Sequence, residues 1–247
     1  MVNLFNIDCY DFFKKIPNKS IDLILSDPPF NTTNNSWDDK IDIPLLWNEY
    51  KRIIKDNGAI ILFSQIPFNI SLAKENMEML RYEYIWQKTT PTGHLNAKKM
   101  PMKAHENIMV FYKHLPTYNP QKTYNNTPTH SFIHKKEGSS NYGKQKSGIA
   151  GGGDTSRYPI DIQIFKSDKQ KINIHPTQKP VALCEFLIKT YTNENDVVFD
   201  NFMGSGAIGV AAKKLNRNFL GIEREKKYFD AAKKWIDSTY IQEELFK

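Results

Sequence analysis

The chain has 247 residues, 40% of them hydrophobic, and a net charge of +7; this composition can build one large core and excludes a wholly disordered protein. No apolar run approaches the roughly 20 residues that span a bilayer, and acidic residues follow soon after Met1, so we expect a cytoplasmic protein without a membrane partner. The two cysteines lack paired spacing and the six histidines are scattered, which predicts neither a disulfide framework nor a metal site.

Strands and helices alternate through the N-terminal part of the chain. The predicted elements are strand 3–8, helix 9–16, strand 20–27, helix 43–58, strand 59–65, helix 67–80 and strand 82–89. The helix at 43–58 is predicted to end at Gly58, since glycine is common just after a helix C-terminus. This alternation predicts a wound α/β sheet with helices on both faces.

The regular pattern breaks down between residues 91 and 171. A strand is predicted at 106–113, but the rest of this stretch is rich in Asn, Thr, Pro, Lys and Gly. Residues 81–180 hold 16 Lys and Arg against 6 Asp and Glu, whereas the rest of the chain holds 18 against 21. A local basic excess predicts polyanion binding, because neutralised phosphates release condensed counterions; a solvated lysine-rich surface is the alternative.

Order returns in the C-terminal part. The predicted elements are helix 181–191, strand 196–202, a glycine turn at 203–206, helix 207–216, strand 218–223 and helix 225–236. We therefore predict an α/β domain formed by residues 1–90 and 172–247, interrupted by an inserted region at 91–171.

The glycine turn predicts a nucleotide-like cofactor. Gly204, Gly206 and Gly209 follow the order G-x-G-x-x-G between a strand and a helix, and Glu223 ends the next strand, where a carboxylate can accept both hydroxyls of a ribose. The pattern alone leaves a nicotinamide dinucleotide open, as well as a turn that only packs helix on strand. Asp200 would repel a pyrophosphate but attract an ammonium group, which favours an adenosine cofactor with an amino acid end.

The stretch Asp27, Pro28, Pro29 and Phe30 follows the apolar strand at 20–27. An exocyclic amine on a base is a poor nucleophile because its lone pair is delocalised into the ring, and two fixed acceptors for its N–H groups relieve this. The Asp27 carboxylate and the Pro28 carbonyl can supply them, while Phe30 offers a face for stacking. The stretch predicts a clamp for a base rotated out of a duplex, with a simple turn as the alternative.

Together these motifs resemble the beta group of DNA amino-methyltransferases, which use S-adenosylmethionine. The resemblance rests on "IDC", "DPPF", "HPTQKP" and "DNFMGSG", with the catalytic motif before the cofactor motif. It covers residues 1–90 and 172–237 well and 91–171 poorly. It implies a Rossmann-like methyltransferase fold with a mixed, mostly parallel sheet, a permuted motif order and an inserted target-recognition region.

The resemblance assigns roles to individual residues. It places the target base against Asp27, Pro28, Pro29 and Phe30. The implied cofactor-binding residues are Asp8, Cys9, His175, Thr177, Lys179, Asp200, Phe202, Gly204, Ser205, Gly206 and Glu223. Within this set, Asp8 and the backbone of Cys9 would meet the cofactor adenine, Glu223 its ribose, and the residues from 200 to 206 its methionine part. A helix-entry role for His175 and a solvated Lys179 are the alternatives.

The expected macromolecular partner is double-stranded DNA. The basic residues expected on its phosphates are Lys98, Lys99, Lys103, Lys135, Lys136, Lys144, Lys146 and Arg157. The sequence leaves open whether the protein forms a homodimer and whether a companion restriction endonuclease accompanies it.

The resemblance implies methyl transfer to the N6 amino group of adenine, because the acidic first residue of "DPPF" resembles the N6 enzymes, whereas cytosine-N4 enzymes more often carry serine there. Methylation of cytosine C5 is excluded, since neither Cys9 nor Cys184 follows a proline. Four alternatives remain: cytosine-N4 methylation, a structured RNA or protein glutamine as substrate, a nicotinamide dehydrogenase, and a DNA-binding module with a weak or vestigial cofactor site.

Three residues depart from the common family pattern: Phe30 replaces tyrosine, Asn201 replaces proline and Ala207 replaces threonine. We predict that Ala207→Thr leaves cofactor affinity equal or higher, because it restores a hydroxyl group near the methionine end. Titration of the purified variant with S-adenosylmethionine measures this, and clearly weaker binding would contradict the placement of Ala207.

Overall fold

A computed structural model describes residues 1–30, 41–133, 150–168, 174–175 and 177–240. Four residues predicted to contact phosphates lie outside this part of the chain, namely Lys135, Lys136, Lys144 and Lys146. Two compact units are present, one formed by Met1–Asn119 with Asp161–Lys247 and the other by Pro120–Ile160. Among the described residues, no helix is both long and apolar enough to cross a membrane.

Ten strands and six α-helices occur in the described residues. They are, in chain order, β1 (Val2–Phe5), α1 (Cys9–Phe13), β2 (Ile21–Ser26), α2 (Ile43–Ile53), β3 (Ile54–Ser64), α3 (Phe68–Glu75), β4 (Leu80–Thr92), β5 (Lys103–Phe111), β6 (Phe132–Ile133), β7 (Ala150–Gly151), β8 (Ile162–Phe165), α4 (Val181–Tyr191), β9 (Val197–Asp200), α5 (Ala207–Lys214), β10 (Asn218–Ile222) and α6 (Lys226–Ser238). Strands β6 and β7 pair with each other in the smaller unit. Strands β6, β7 and β8 were not predicted from the sequence.

The larger unit contains an eight-stranded sheet in the order β1-β10-β9-β2-β3-β5-β4-β8. The first five strands of this order are mutually parallel. Strand β5 runs antiparallel to both β3 and β4, and β8 pairs in parallel with β4. The predicted mixed, mostly parallel sheet is confirmed.

Hydrophobic side chains cover both faces of the sheet, because successive residues of a strand point to opposite sides. Leu23 and Leu25 of β2 belong to one core, which contains the buried residues of α4, α5 and α6. Ile24 belongs to the other core, together with the buried residues of α1, α2 and α3. The predicted arrangement of helices on both faces is therefore confirmed.

The predicted end of the second helix at Gly58 is wrong. Helix α2 ends at Ile53, since Ile54 is already extended and pairs with Ile21 of β2. Gly58 lies within β3, where an added Cβ would be 2.8 Å from the carbonyl oxygen of Asp22. Close packing against β2 therefore requires glycine here.

The parallel strands bring four acidic residues to one edge of the sheet. Asp8 follows β1, Asp27 follows β2, Asp200 ends β9 and Glu223 follows β10. Because these strands are parallel, their carboxyl ends lie together, and ligands of open α/β sheets bind at such an edge.

Gly209 packs helix α5 tightly against its neighbours. An added Cβ would lie 2.5 Å from Ile236 Cδ1 and 2.6 Å from Phe219 Cε1. Replacing glycine by alanine in an open helix interior stabilises the helix by about 1 kcal/mol, but overpacking a core costs about 1–3 kcal/mol. We therefore expect Gly209→Ala to lower the free energy of unfolding, as measured by urea denaturation.

The matched control is Lys234→Ala on the exposed side of α6, which should change stability by less than about 0.5 kcal/mol. An increase in stability for Gly209→Ala would show that α5 is not packed as described.

Candidate active site

A cavity of 730 Å³ lies in the larger unit at the edge where the four acidic residues converge. This volume is typical of sites for small molecules and cofactors. All four residues predicted to hold the base line it, and so do ten of the eleven predicted cofactor residues. The exception is Gly206. The tertiary structure therefore brings the two predicted groups into one cavity.

Asp27 presents one engaged and one unengaged oxygen. Its Oδ2 accepts a hydrogen bond from Lys179 Nζ at 2.5 Å, whereas its Oδ1 is buried and has no hydrogen-bond partner among the described residues. Burial raises the pKa of Asp27 to about 6, although the Lys179 ammonium opposes this shift. A buried acceptor without a partner is energetically costly, so Oδ1 is suited to accept an N–H from a ligand.

Phe30 lines the same cavity as Asp27. Its ring packs on Phe68 with the ring centroids 5.2 Å apart and the planes inclined by 36°. Pro28 is buried, while Pro29 and Phe30 are half-buried. An aromatic surface beside a hydrogen-bond acceptor is suited to a planar ring that carries an amino group.

Asp200 repeats the arrangement of Asp27 on the neighbouring strand. Its Oδ1 accepts hydrogen bonds from the Ser26 hydroxyl at 2.7 Å and from the Phe202 N–H at 3.1 Å. Its Oδ2 is buried and has no hydrogen-bond partner in the described part of the chain. Burial raises the pKa of Asp200 to about 7, with these two hydrogen bonds opposing the shift. The residues present therefore fit a cationic ammonium group.

Glu223 holds the glycine turn in place. Its Oε2 accepts the Gly204 N–H and its Oε1 accepts the Glu225 N–H, both at 2.8 Å. Gly204 and Gly206 have φ angles of +51° and +85°, which side chains rarely adopt. Burial raises the pKa of Glu223, while the two N–H groups favour its ionised form. Glu223 thus shapes the turn and also lines the cavity.

The N-terminal motif lies at the start of helix α1. The Asp8 carboxylate accepts the Tyr10 N–H at 2.8 Å and caps the helix. Burial raises the pKa of the Cys9 thiol to about 12, so the thiol stays protonated at neutral pH and is a poor nucleophile. Asn201, which replaces the common proline, accepts the Tyr50 hydroxyl at 2.6 Å.

The "HPTQKP" stretch contributes four residues to the cavity lining, namely His175, Thr177, Gln178 and Lys179. His175 Nδ1 lies 3.0 Å from Thr177 Oγ1, and the His175 ring centroid lies 4.3 Å from that of Tyr228. The side chain of Lys179 is only 6% exposed and is paired with Asp27. The alternative of a solvated Lys179 is therefore wrong, because the ammonium lies against the predicted catalytic carboxylate.

Four charged residues that line the cavity were not predicted from the sequence, namely Lys88, Glu106, Lys166 and Arg224, and the first two form ion pairs in the site. Glu106 Oε2 lies 3.4 Å from Lys179 Nζ, and Glu106 Oε1 lies 2.6 Å from Lys88 Nζ. The strand periodicity could have identified Glu106 and Lys88 as inward-facing residues. Glu106 is in phase with the buried Ile108 of β5, and Lys88 is in phase with the buried Trp86 of β4. Charged residues at inward-facing positions require partners.

The predicted phosphate-binding residues within the described part of the chain are spread over both units. Lys98 and Lys99 are exposed. Lys103 lines the cavity and donates to Gln65 Oε1 at 2.7 Å. The Arg157 guanidinium donates to the backbone carbonyls of three residues of its own unit, namely Thr127, Asp154 and Ser156. Arg157 therefore stabilises the smaller unit, and its predicted contact with phosphate stays a prediction.

Comparison with known proteins identifies relatives along most of the chain. A family model described as DNA methylase (N6_N4_Mtase) matches residues 21–234. The type II methyltransferase M.HinfI of Haemophilus influenzae is 30% identical over 92% of this chain, which spans 66% of that enzyme's length. The solved structure of the M1.HpyAVI–SAM complex is 27% identical, with a TM-score of 0.67 over 95% of this chain and 98% of that one.

A further solved structure is similar in fold alone. The PvuII DNA methyltransferase, described as cytosine-N4-specific, has a TM-score of 0.67 over 94% of this chain and 85% of its own, at 14% identity. The predicted Rossmann-like methyltransferase fold is confirmed by these structures.

The stability of the ligand-free protein should depend on pH through the buried carboxyl of Asp200. Its folded-state pKa of about 7 lies above the unfolded value, so the native state keeps a proton that the unfolded chain releases. The cost of ionising Asp200 therefore grows as the pH rises from about 4 to about 7, and is present in full above that range. We expect Asp200→Asn to raise the Tm of the ligand-free protein at pH 8 and to leave it unchanged at pH 4.

The same substitution should weaken binding of S-adenosylmethionine at pH 8, because the ligand ammonium loses its carboxylate partner. Asp11→Asn, at an exposed position on α1, is the control. It should change neither the Tm at pH 4 or pH 8 nor the affinity for S-adenosylmethionine. A destabilised Asp200→Asn at pH 8 would contradict the burial argument.

Proposed function

The chain belongs to the DNA methylase family of the N6_N4_Mtase model, and on this premise we propose that it methylates the N6 amino group of an adenine rotated out of double-stranded DNA. S-adenosylmethionine is the methyl donor of this family. One observation carries the proposal: Asp27 and Asp200 line the same cavity, and each has a buried carboxylate oxygen without a hydrogen-bond partner among the described residues.

Asp27 is the residue that activates the target amine. Its Oδ1 accepts one N–H of the amine, which localises the nitrogen lone pair and stabilises the positive charge that grows on nitrogen as the new bond forms. Phe30 stacks on the base, and the rigid Pro28 and Pro29 hold the acceptor and the ring at a fixed spacing. A base inside a duplex cannot reach a cavity of this kind, so the target nucleotide leaves the stack.

The other end of the cavity holds the cofactor. Asp200 Oδ2 pairs with the ammonium of its methionine part, and Gly204 and Ser205 provide close backbone approach. Glu223 retains lone pairs for the ribose hydroxyls beyond the two N–H groups that it already accepts. Asp8, with the backbone of Cys9, meets the adenine. When bound, S-adenosylmethionine supplies a methyl group on a cationic sulfonium.

His175, Thr177, Phe202 and Gly206 complete the proposed cofactor site in different ways. The first three line the cavity, whereas Gly206 acts through the turn, because an added Cβ would lie 2.9 Å from Ala232 Cβ. Lys179 acts on the target side, since its ammonium is paired with Asp27.

Adenine is favoured over cytosine by the acidic first residue of the "DPPF" motif. Both bases present an amino group beside a ring nitrogen, and the fold is shared with a cytosine-N4-specific enzyme, so fold similarity leaves the base open. Cytosine-N4 methylation is the second candidate.

We further propose that residues 91–171 recognise the DNA target and that the exposed Lys98 and Lys99 contact its phosphates. Contacts of this kind fix the position of the duplex, while base selection requires contacts to the base edges. We place the protein in the cytoplasm; a homodimer and a companion endonuclease are left open.

The decisive test is the identity of the methylated base. The purified protein is incubated with labelled S-adenosylmethionine and DNA from a host without its own DNA methyltransferases, and the nucleosides are separated by mass spectrometry. We expect N6-methyladenine. N4-methylcytosine would establish the second candidate instead, and the absence of label from DNA would refute the proposal.

Asp27→Ala should lower kcat at least about 100-fold, because the transition-state positive charge loses its acceptor, and should leave the affinity for S-adenosylmethionine within about twofold. Asp56→Ala, which removes an exposed carboxylate of β3, is the matched control and should have the kcat of the wild-type protein. An active Asp27→Ala enzyme would refute the role of Asp27.

A further inference from the structure

The cavity is bordered by a line of four side chains of alternating charge, namely Lys88, Glu106, Lys179 and Asp27. Lys179 Nζ lies 2.5 Å from Asp27 Oδ2 and 3.4 Å from Glu106 Oε2, and Lys88 Nζ lies 2.6 Å from Glu106 Oε1. The exposed fractions of these side chains lie between 6% and 19%. Removing four charges from water is unfavourable unless each has a partner, so the four residues depend on one another.

Strand pairing and aromatic rings hold the outer part of this line. Glu106 of β5 is the cross-strand partner of Trp86 of β4, and Lys88 lies two residues further along β4 on the same face. The Lys88 ammonium lies 5.2 Å from the Trp86 ring centroid, and the Lys179 ammonium lies 5.1 Å from the Phe63 ring centroid. Each cation is therefore fixed by a carboxylate and by a ring face, which restricts its rotation.

Given the proposed function on which this inference rests, we propose that Lys179, Glu106 and Lys88 are positioning residues that orient the Asp27 carboxylate for reaction with the amine. The two lysines favour its ionised form, and Glu106 opposes them. Lys179 occupies Oδ2, so Oδ1 is left as the acceptor for the ligand. The Lys179 ammonium is shared between the carboxylates of Glu106 and Asp27, and this limits how strongly Lys179 attracts Asp27. Lys88 holds Glu106 in place.

The charges around Asp27 act in opposite directions. Burial raises the pKa of Asp27 to about 6; Lys179 and Lys88 lower it, and Glu106 raises it. Burial also acts on Glu106, but the two lysines outweigh it and hold the Glu106 pKa below its ordinary value. Asp200 is electrostatically coupled to Asp27 as a further acid, and the buried Cys184 thiol, whose pKa is raised, stays neutral beside them.

These signs give opposite expectations for two substitutions. Lys179→Met removes the strongest attraction, so the acid limb of the kcat/KM profile for methyl transfer should move about one to two pH units upward. Glu106→Gln removes a repulsion and leaves Lys179 with Asp27 alone, so the acid limb should move downward. Lys179→Arg keeps the charge and should retain the wild-type acid limb even if the rate falls.

Lys88→Met should move the acid limb upward by less than Lys179→Met, because Lys88 contacts Asp27 only through Glu106. The matched control is Lys55→Met, which breaks the 2.6 Å ion pair with Asp22 on the same sheet, outside the cavity wall. This control should leave the acid limb in place. A merely structural role for the line would not produce shifts of opposite sign.

A second measurement does not depend on activity. The pKa of Asp27 is read from the carboxyl resonance in protein labelled with ¹³C-aspartate, assigned by its loss in Asp27→Asn. We expect a higher pKa in Lys179→Met and a lower one in Glu106→Gln. If wild-type protein fails to methylate DNA, the proposed function is refuted while this titration still decides the inference.

Shifts in the same direction, or no shift, in the two variants would overturn the inference. Circular dichroism shows whether each variant is folded. Should either variant not fold, the Lys88→Met and Lys179→Arg proteins decide by the same titration: an unchanged Asp27 pKa in Lys88→Met, or a clearly raised one in Lys179→Arg, would overturn it.

Discussion

The burial of two carboxylates at the ends of adjacent strands is the constraint on which the site depends. Asp27 follows β2 and Asp200 ends β9, so both lie at the carboxyl edge of the parallel part of the sheet. Each has one oxygen engaged by the protein and one without a hydrogen-bond partner among the described residues. Ionising such groups away from water is costly, and their raised pKa values express that cost. A ligand cation beside Asp200 and a ligand N–H beside Asp27 offset this cost.

The rest of the larger unit keeps these groups in place. Two hydrophobic cores, one on each face, hold the sheet rigid, so the loops at its edge start from fixed positions. The Ser26 hydroxyl orients Asp200, and Glu223 orients the turn at Gly204. Such preorganisation limits the reorganisation needed when substrate and cofactor bind, which is how a site without a covalent intermediate gains rate.

The charged line from Lys88 to Asp27 links the target side of the site to the antiparallel part of the sheet. Strands β4 and β5 contribute Lys88 and Glu106, so the antiparallel strands also carry residues that we propose to act on Asp27. Two cations and two carboxylates nearly balance in charge, which lets all four remain buried. The fold is shared with an enzyme described as cytosine-N4-specific, so the fold by itself does not identify the target base. Base selection therefore depends on individual residues around the cavity.

The sequence by itself determined the alternation of strands and helices, the parallel sheet, and the motifs at Asp27, Gly204 and Glu223. Local periodicity and short motifs carry that information because hydrophobic spacing and turn chemistry are set by neighbouring residues. The prediction from sequence failed at Gly58, because glycine is favoured both just after a helix end and where two strands pack closely. Only the tertiary structure decided that Lys179 pairs with Asp27 and that Glu106 and Lys88 extend this line, because those contacts join residues up to 152 positions apart, and no local pattern specifies the partner of a buried charge.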